Sequence, residues 1–144
     1  LNHNTLKHAS RRVARYRPEI HRRNVLDPIP FEADKFDSIG ISYLLHCLPG
    51  SIASKSTVFD HLKTLLNPDG VIFGSTLLQG GVKRGWLAHR LMALYNRKGI
   101  FANRQDDLDG LTEELRRRFA SVSVEVVGCA ALFAVRGPIA PAHS

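Results

Sequence analysis

Residues 36–50 read FDSIGISYLLHCLPG and place side chains capable of chemistry at the end of an apolar run. A short apolar run closes on Ser42, Tyr43, His46 and Cys47 before Pro49 and Gly50 stop it. In open α/β sheets, ligands bind outside the carboxyl ends of the strands, so this stretch is a candidate wall of a ligand site. The His46 imidazole, with an ordinary pKa of about 6.5, could take a proton from a hydroxyl or amine, or it could cap and pack the strand end. Ser42 could offer its hydroxyl or carbonyl to a ligand, or bond back to the backbone.

Other chemistries find less support. The seven histidines, at 3, 8, 21, 46, 61, 89 and 143, show no metal-ligand spacing with the two cysteines, Cys47 and Cys129. Both thiols read as reduced core residues. No Gly-x-Ser-x-Gly elbow or Walker loop is present, which removes the sequence basis for a hydrolase or an NTPase. LLQGGVKRGW, residues 77–86, has glycines and cations but lacks the strand-loop-helix pattern of a phosphate cradle.

The elements that position these residues alternate along the chain. Leu6, Ala9, Val13 and Tyr16 fall at helical spacing over Thr5 to Tyr16, with Asn4 as N-cap and Pro18 as stop. Glu19 to Leu26 is a weak strand. A strand follows over Asp37 to Tyr43, its apolar character suiting cover on both faces. Ser54 to Leu66 is an amphipathic helix burying Val58, Phe59, Leu62, Leu65 and Leu66; NPDG turns the chain, and VIFGSTLL from Val71 is the next strand. Gly80, Gly81 and Gly85 precede a helix over Trp86 to Asn96, with Leu87, Leu91, Leu94 and Tyr95 as its apolar side. Asp106 or Asp107 caps a helix carrying Leu108, Leu111, Leu115 and Phe119. VSVEVV and AALFAV around Gly128 and Cys129 form a hairpin. This is an α/β chain ending in an antiparallel β-hairpin.

Composition narrows the class. With 144 residues, 44% of them hydrophobic, the chain is one domain's worth of core-forming sequence. No run approaches the ~20 apolar residues of a membrane span, and the first residues lack a signal peptide's apolar stretch, so a cytoplasmic protein is the expectation. Lys7, Arg11, Arg12, Arg15, Arg17, Arg22 and Arg23 face one acid, Glu19, so six of the seven net positive charges lie before Leu26. Such a patch would bind phosphates in a salt-dependent way, but no aromatics are interleaved for base stacking. A solvated basic helix face is the simpler reading.

The series NVLDPIP, FDSIGISYLLHCLPG and HLKTLLNPDGVIFGSTLL, with the terminal hairpin, resembles the second half of a class I S-adenosylmethionine-dependent methyltransferase. That family follows an FD strand with a Leu-His strand end, a helix and a Leu-x-Pro-x-Gly turn into the next strand. The resemblance runs from Leu1 to about Arg136 and implies a Rossmann-like sheet, incomplete at its N-terminus, in the strand order 3-2-1-4-5-7-6. The family's glycine-rich loop and ribose-binding acid have no counterpart here, so a piece of a longer protein or a truncated product is expected. Residues 1–137 would be a partial domain and 138–144 a flexible tail. The Glu19 to Leu26 strand would then lack its native neighbours, and the strand at Phe36 would have an open edge.

The resemblance also implies roles. Leu1 falls where the family packs an apolar side chain on adenine. Asn24 falls where an acid usually accepts the adenine amino group, a capacity its amide oxygen keeps, and Asp27 is a second choice. Val25 would offer its backbone N–H to the ring. Ser42 and Tyr43 would border the methionine part of S-adenosyl-L-methionine. Trp86 and Tyr95, in the segment where the family builds its substrate lid, would face the acceptor or pack in the core. The implied function is methyl transfer to a small-molecule acceptor, as part of a full-length enzyme, with nucleic acid an unlikely partner. The alternatives are a non-catalytic truncated remnant and a basic nucleic-acid-binding module.

Overall fold

A computed structural model describes residues 3–31 and 34–139. Four strands carry the structure: β1 (Phe36–Ser42), β2 (Leu66–Leu77), β3 (Phe119–Val127) and β4 (Ala130–Pro138). β1 and β2 are parallel, in register from Ser38 opposite Val71 to Ser42 opposite Ser75. β3 and β4 form the expected hairpin, and β4 lies between β2 and β3, giving the order β1-β2-β4-β3. This is the 4-5-7-6 end of the expected sheet. The helices are α1 (His3–Val13), α2 (Ile52–Lys55), α3 (Thr57–Lys63), α4 (Trp86–Arg97) and α5 (Leu108–Arg116).

Two glycines make this sheet possible. A Cβ at Gly74 would lie 1.9 Å from the Ile41 carbonyl oxygen, so only glycine allows β1 and β2 to approach there. Gly128, at φ 63, turns the hairpin in the left-handed region between Val127 and Ala130.

The core fills one face of the sheet. Ile41, Ile72, Phe133 and Val135 meet Val58, Phe59 and Leu62 of α3 and Leu111 and Leu115 of α5. Phe59 stands edge-on to Phe119 and Phe133, at 6.2 and 5.7 Å, the favoured aromatic geometry. Arg118 ties the two helices further, donating to Asp60 of α3 and to Glu114 of α5. The opposite face is less covered among the described residues: Phe73 and Leu132 are exposed. Cover on both faces was expected from the apolar run at β1, but its register explains the difference. Ile39 and Ile41 point to the core, while Ser38, Gly40 and Ser42 alternate to the other side.

Other boundaries differ from expectation for local reasons. Glu19 to Leu26 forms no strand, because a strand needs a ladder partner and none lies beside it among the described residues. The first helix starts at His3, so Asn4 lies within it rather than capping it. The helix expected over Ser54 to Leu66 is two: Ser51 caps α2, and the Ser56 hydroxyl donates to the Ile52 carbonyl at 2.8 Å where the helix breaks. Leu66 joins β2, with NPDG looped out as a register shift between Leu66 and Val71. Phe119 opens β3 instead of ending α5. Cys47 is exposed and Cys129 half-buried in the hairpin turn, both free, so neither is the core residue expected. β4 reaches Pro138, and the Ile139 N–H donates to the Arg118 carbonyl; residues 140–144 of the expected tail lie outside the described residues.

Candidate functional site

The carboxyl ends of β1 and β2 lie side by side. Ser42, the last residue of β1, is exposed, and Tyr43 continues the ladder by donating its N–H to the Ser75 carbonyl at 2.8 Å. Tyr43 then turns the chain at φ 56, a left-handed conformation that a bulky residue holds only where its surroundings enforce it. Tyr43 is 56% exposed. A strained backbone beside an exposed serine and an aromatic ring makes this strand end the strongest candidate for ligand contact.

Beneath it, the 3₁₀ turn Leu45–Cys47 tucks His46 into the protein, 2% exposed. Its Nδ1 accepts from the Leu77 N–H at 3.3 Å, which places the ring proton on Nε2, and the Thr76 hydroxyl lies 3.5 Å from the same nitrogen. Burial, with the nearby Lys55 charge adding to it, lowers the imidazole pKa from 6.5. His46 is therefore neutral at pH 7. Its ring meets Tyr43 at 5.7 Å and Phe101 at 4.7 Å, and Phe101 meets Tyr95 at 5.0 Å. An aromatic row thus runs from the end of β1 to α4.

A polar cluster lies beside this row. Lys55 is fully buried, and its Nζ donates to both Asp106 carboxylate oxygens, at 2.9 and 2.7 Å, and to the Ala102 carbonyl at 2.7 Å. Burial raises the Asp106 carboxyl pKa above its ordinary value, against the pull of the Lys55 ammonium, and the 2.7 Å contact joins the two in a buried salt bridge. The Asp106 carbonyl accepts from the Gln79 and Gly80 N–H groups just after β2, and the Ala102 N–H donates to the His46 carbonyl. Asn103, also fully buried, donates to the Leu77 carbonyl at 2.8 Å and accepts from Asn96 of α4 at 2.8 Å. One cation therefore pins the segments that follow β1, β2 and α4 to one another.

Sequence reasoning missed this cluster, although Lys55 carried a signal. It sits three residues after Ile52 and three and four before Val58 and Phe59, on the helical apolar spacing that the sequence carries through this stretch. A lysine there must be paired or its helix must turn. Asp106 was considered only as a helix cap; Asp107 takes that role, accepting from the Gly110 N–H at 2.7 Å.

The remaining predicted residues fall in three places. Asn24, Val25 and Asp27 share one turn: the Asn24 amide donates to the Asp27 carboxylate at 2.9 Å, and its oxygen accepts from the Leu26 N–H at 3.3 Å. The Val25 carbonyl accepts from His61 of α3 at 3.0 Å, which ties this turn to the core. Trp86, at the start of α4, is 73% exposed, whereas Tyr95 is half-buried against Phe101, so the two do not face a common space. Leu1 lies outside the described residues. No group of three or more His, Cys, Asp or Glu side chains among the described residues is placed to hold a metal ion, and no helix there is long and apolar enough to cross a membrane.

No family model matches the sequence. The chain is 38% identical over 133 residues to demethylluteothin O-methyltransferase of Streptomyces thioluteus, a match spanning 92% of this chain and 58% of that one. It is 41% identical over 130 residues to methyltransferase aurB of Calcarisporium arbuscula, covering 90% and 56%, and 42% identical over 115 residues to the putative uncharacterized protein YbcY of Escherichia coli K12, covering 79% and 59%. The chain thus spans little more than half the length of these relatives. Among solved structures, an O-methyltransferase family protein from Burkholderia thailandensis aligns with TM-score 0.64 at 18% identity, over 92% of this chain and 41% of that one. An O-methyltransferase from neocarzinostatin biosynthesis, solved with S-adenosyl-L-homocysteine and 1,4-dihydroxy-2-naphthoic acid, aligns with TM-score 0.60 at 16% identity, over 93% and 40%.

Proposed function

We infer that this chain, which belongs to the class I S-adenosylmethionine-dependent methyltransferases, serves methyl transfer from S-adenosyl-L-methionine to a small-molecule acceptor in the full-length protein that carries it. The observation that carries this reading is the 38% identity to an O-methyltransferase across 92% of the chain. The residues present fit part of such a cofactor. An exposed serine and tyrosine with strained backbone stand at one strand end, and an exposed Asn-Asp turn is fixed to the core through His61.

When bound, the cofactor supplies a methyl group activated on a sulfonium sulfur. In our reading, Ser42 and Tyr43 border its methionine end, the Asn24 amide oxygen offers its second lone pair to the adenine amino group, and the Val25 N–H faces the ring. The resemblance alone assigns the adenine contact to Leu1, which lies outside the described residues. His46 is a positioning residue rather than the base: its free lone pair already accepts from Leu77, and burial disfavours the imidazolium that taking a proton would form. It fixes Tyr43 at one side and Phe101 at the other. Tyr95 supports Phe101, which leaves Trp86 to face an acceptor. The chain's contribution is alignment of reactants and exclusion of water.

The test uses the full-length protein and S-adenosylmethionine labelled in the transferable methyl group, offered with a panel of phenols and aromatic acids. Label should appear in the small-molecule fraction. Label confined to protein or nucleic acid, or none transferred, overturns the reading. In the same protein Asn24→Ala should weaken cofactor binding by about 1–2 kcal/mol, the scale of one hydrogen bond; an unchanged dissociation constant by calorimetry removes Asn24 from the site.

A further inference from the structure

The outer face of α4 leaves its apolar residues uncovered. Trp86, Leu87 and Leu91 are 73%, 55% and 43% exposed, and with Leu94 they line a groove of about 700 Å³. That volume lies in the range of small-molecule sites. The charged residues along the groove are all basic: Arg90, Arg97 and Arg104, beside His89. No carboxylate lines it, and among the described residues none of the three guanidinium groups forms an ion pair. Arg117 and Arg118, by contrast, pair with Glu114 and Asp60. A smaller space of about 230 Å³ shares His89, Ala93 and Arg104 with the groove and reaches Gln79 and Asn96. Gln79 directly follows the residues at the carboxyl end of β2, so the groove leads toward the strand ends.

We propose that this groove binds the methyl acceptor and that the acceptor is an aromatic carboxylate. Its ring system lies against Trp86, Leu87 and Leu91, and its carboxylate lies on Arg97 and Arg104. The word acceptor rests on the methyl-transfer reading above; the binding itself does not. Apolar walls account for the ring, since burying such side chains against a planar ligand is favourable in proportion to area. The guanidinium groups account for the acid: their planar donor pairs match a carboxylate in two parallel hydrogen bonds. A neutral ligand would leave these cations unmatched.

Trp86 is the only tryptophan of the chain, so a single indole N–H resonance in a ¹H–¹⁵N spectrum reports on the groove without any cofactor. Titration with 2-naphthoate should move that resonance to saturation. The uncharged 2-naphthamide should bind about tenfold more weakly or worse, the worth of a charge-assisted pair. Arg97→Gln with Arg104→Gln, both at exposed positions, should abolish the difference between acid and amide while leaving the fold intact. Equal affinity for acid and amide overturns the proposal. So does failure of 2-naphthoate to saturate with both this chain and the full-length protein, or movement of the resonance with protein concentration alone, which would make the groove a contact between copies. Naphthoate binding without methyl transfer to any acid would leave the groove assignment standing and sink the transfer reading. Methyl transfer without naphthoate binding would do the reverse.

Discussion

The segment from His3 to Phe31 and the unit from Phe36 to Ile139 are both amphipathic and both rich in basic residues, yet among the described residues only the second buries any charged side chain. In the first, Val13, Tyr16 and Ile20 are 40%, 67% and 47% exposed, and α1 has its main contacts with the turn that follows it. Lys7, Arg11, Arg12 and Arg15 all face solvent. In the second, even a lysine and an aspartate are fully buried, and every buried side-chain nitrogen and oxygen among the described residues has a hydrogen-bond partner. A helical apolar stripe is a requirement for a partner surface and does not create one. What distinguishes the unit is a sheet: β2 and β4 hold a face onto which α3 and α5 can pack, and that cover lets ionic groups survive burial.

The sharpest way to break this contrast is to unbalance the buried pair. Lys55→Met leaves the Asp106 carboxylate without its cation in a fully enclosed site and should cost about 3–5 kcal/mol of unfolding free energy. Replacing both partners, Lys55→Met with Asp106→Leu, removes the unpaired charge and should cost much less than the single change. Urea unfolding of the three proteins checks both expectations. A Lys55→Met loss below about 1 kcal/mol would mean that water reaches the cluster, and the two regions would then differ in degree only.

A smaller effect sharpens the comparison through pH. Because burial lowers the pKa of His46, the unfolded chain binds a proton at this residue more readily than the folded one. Stability contributed by the neutral ring is therefore present above about pH 6.5 and is lost as pH falls below that value, with a slope of at most about 1.4 kcal/mol per unit. His46→Asn should flatten this limb. The same substitution in the full-length protein separates a positioning residue from a base: methylation per folded molecule should change little, whereas loss of a base would cost roughly 10²–10⁴ in rate.

Much of the sheet was legible because each β-element is bounded by its own punctuation. Gly128 marks the hairpin and Asp107 the start of α5, while Pro68 and Gly70 mark the register shift near the start of β2. Where the readings failed, a pairing that residue type alone does not reveal decided. Glu19 to Leu26 has strand-like residues, but only a neighbouring strand can make a ladder of it. Ser56 reads as an ordinary helix residue until its hydroxyl takes the Ile52 carbonyl. At the candidate site, Ser42, Tyr43 and His46 could be found from a strand ending in polar residues. The Lys55–Asp106 pair joins residues 51 positions apart, and periodicity within one helix can flag a misplaced lysine without naming its partner.

The smallest expected effect comes from the basic segment, and its smallness is the informative part. Arg11 and Arg12 lie in the last turn of α1, where cations favour the helix dipole, but both are exposed and screened by solvent and salt. Reversing both to Glu should fray α1 locally, because the dipole interaction changes sign. The four-stranded unit takes no support from that helix face, so its unfolding free energy should change by at most about 0.5 kcal/mol. Hydrogen exchange separates the two responses, with faster exchange expected before Pro18 and unchanged protection in β2 and β4. If the segment instead serves nucleic acid, the chain should bind RNA or DNA with an affinity that falls steeply with salt, and the reversal should abolish it. Absence of such binding at low salt leaves the cations as a solvated face, whereas a global loss well beyond 0.5 kcal/mol would show that α1 is docked on the sheet.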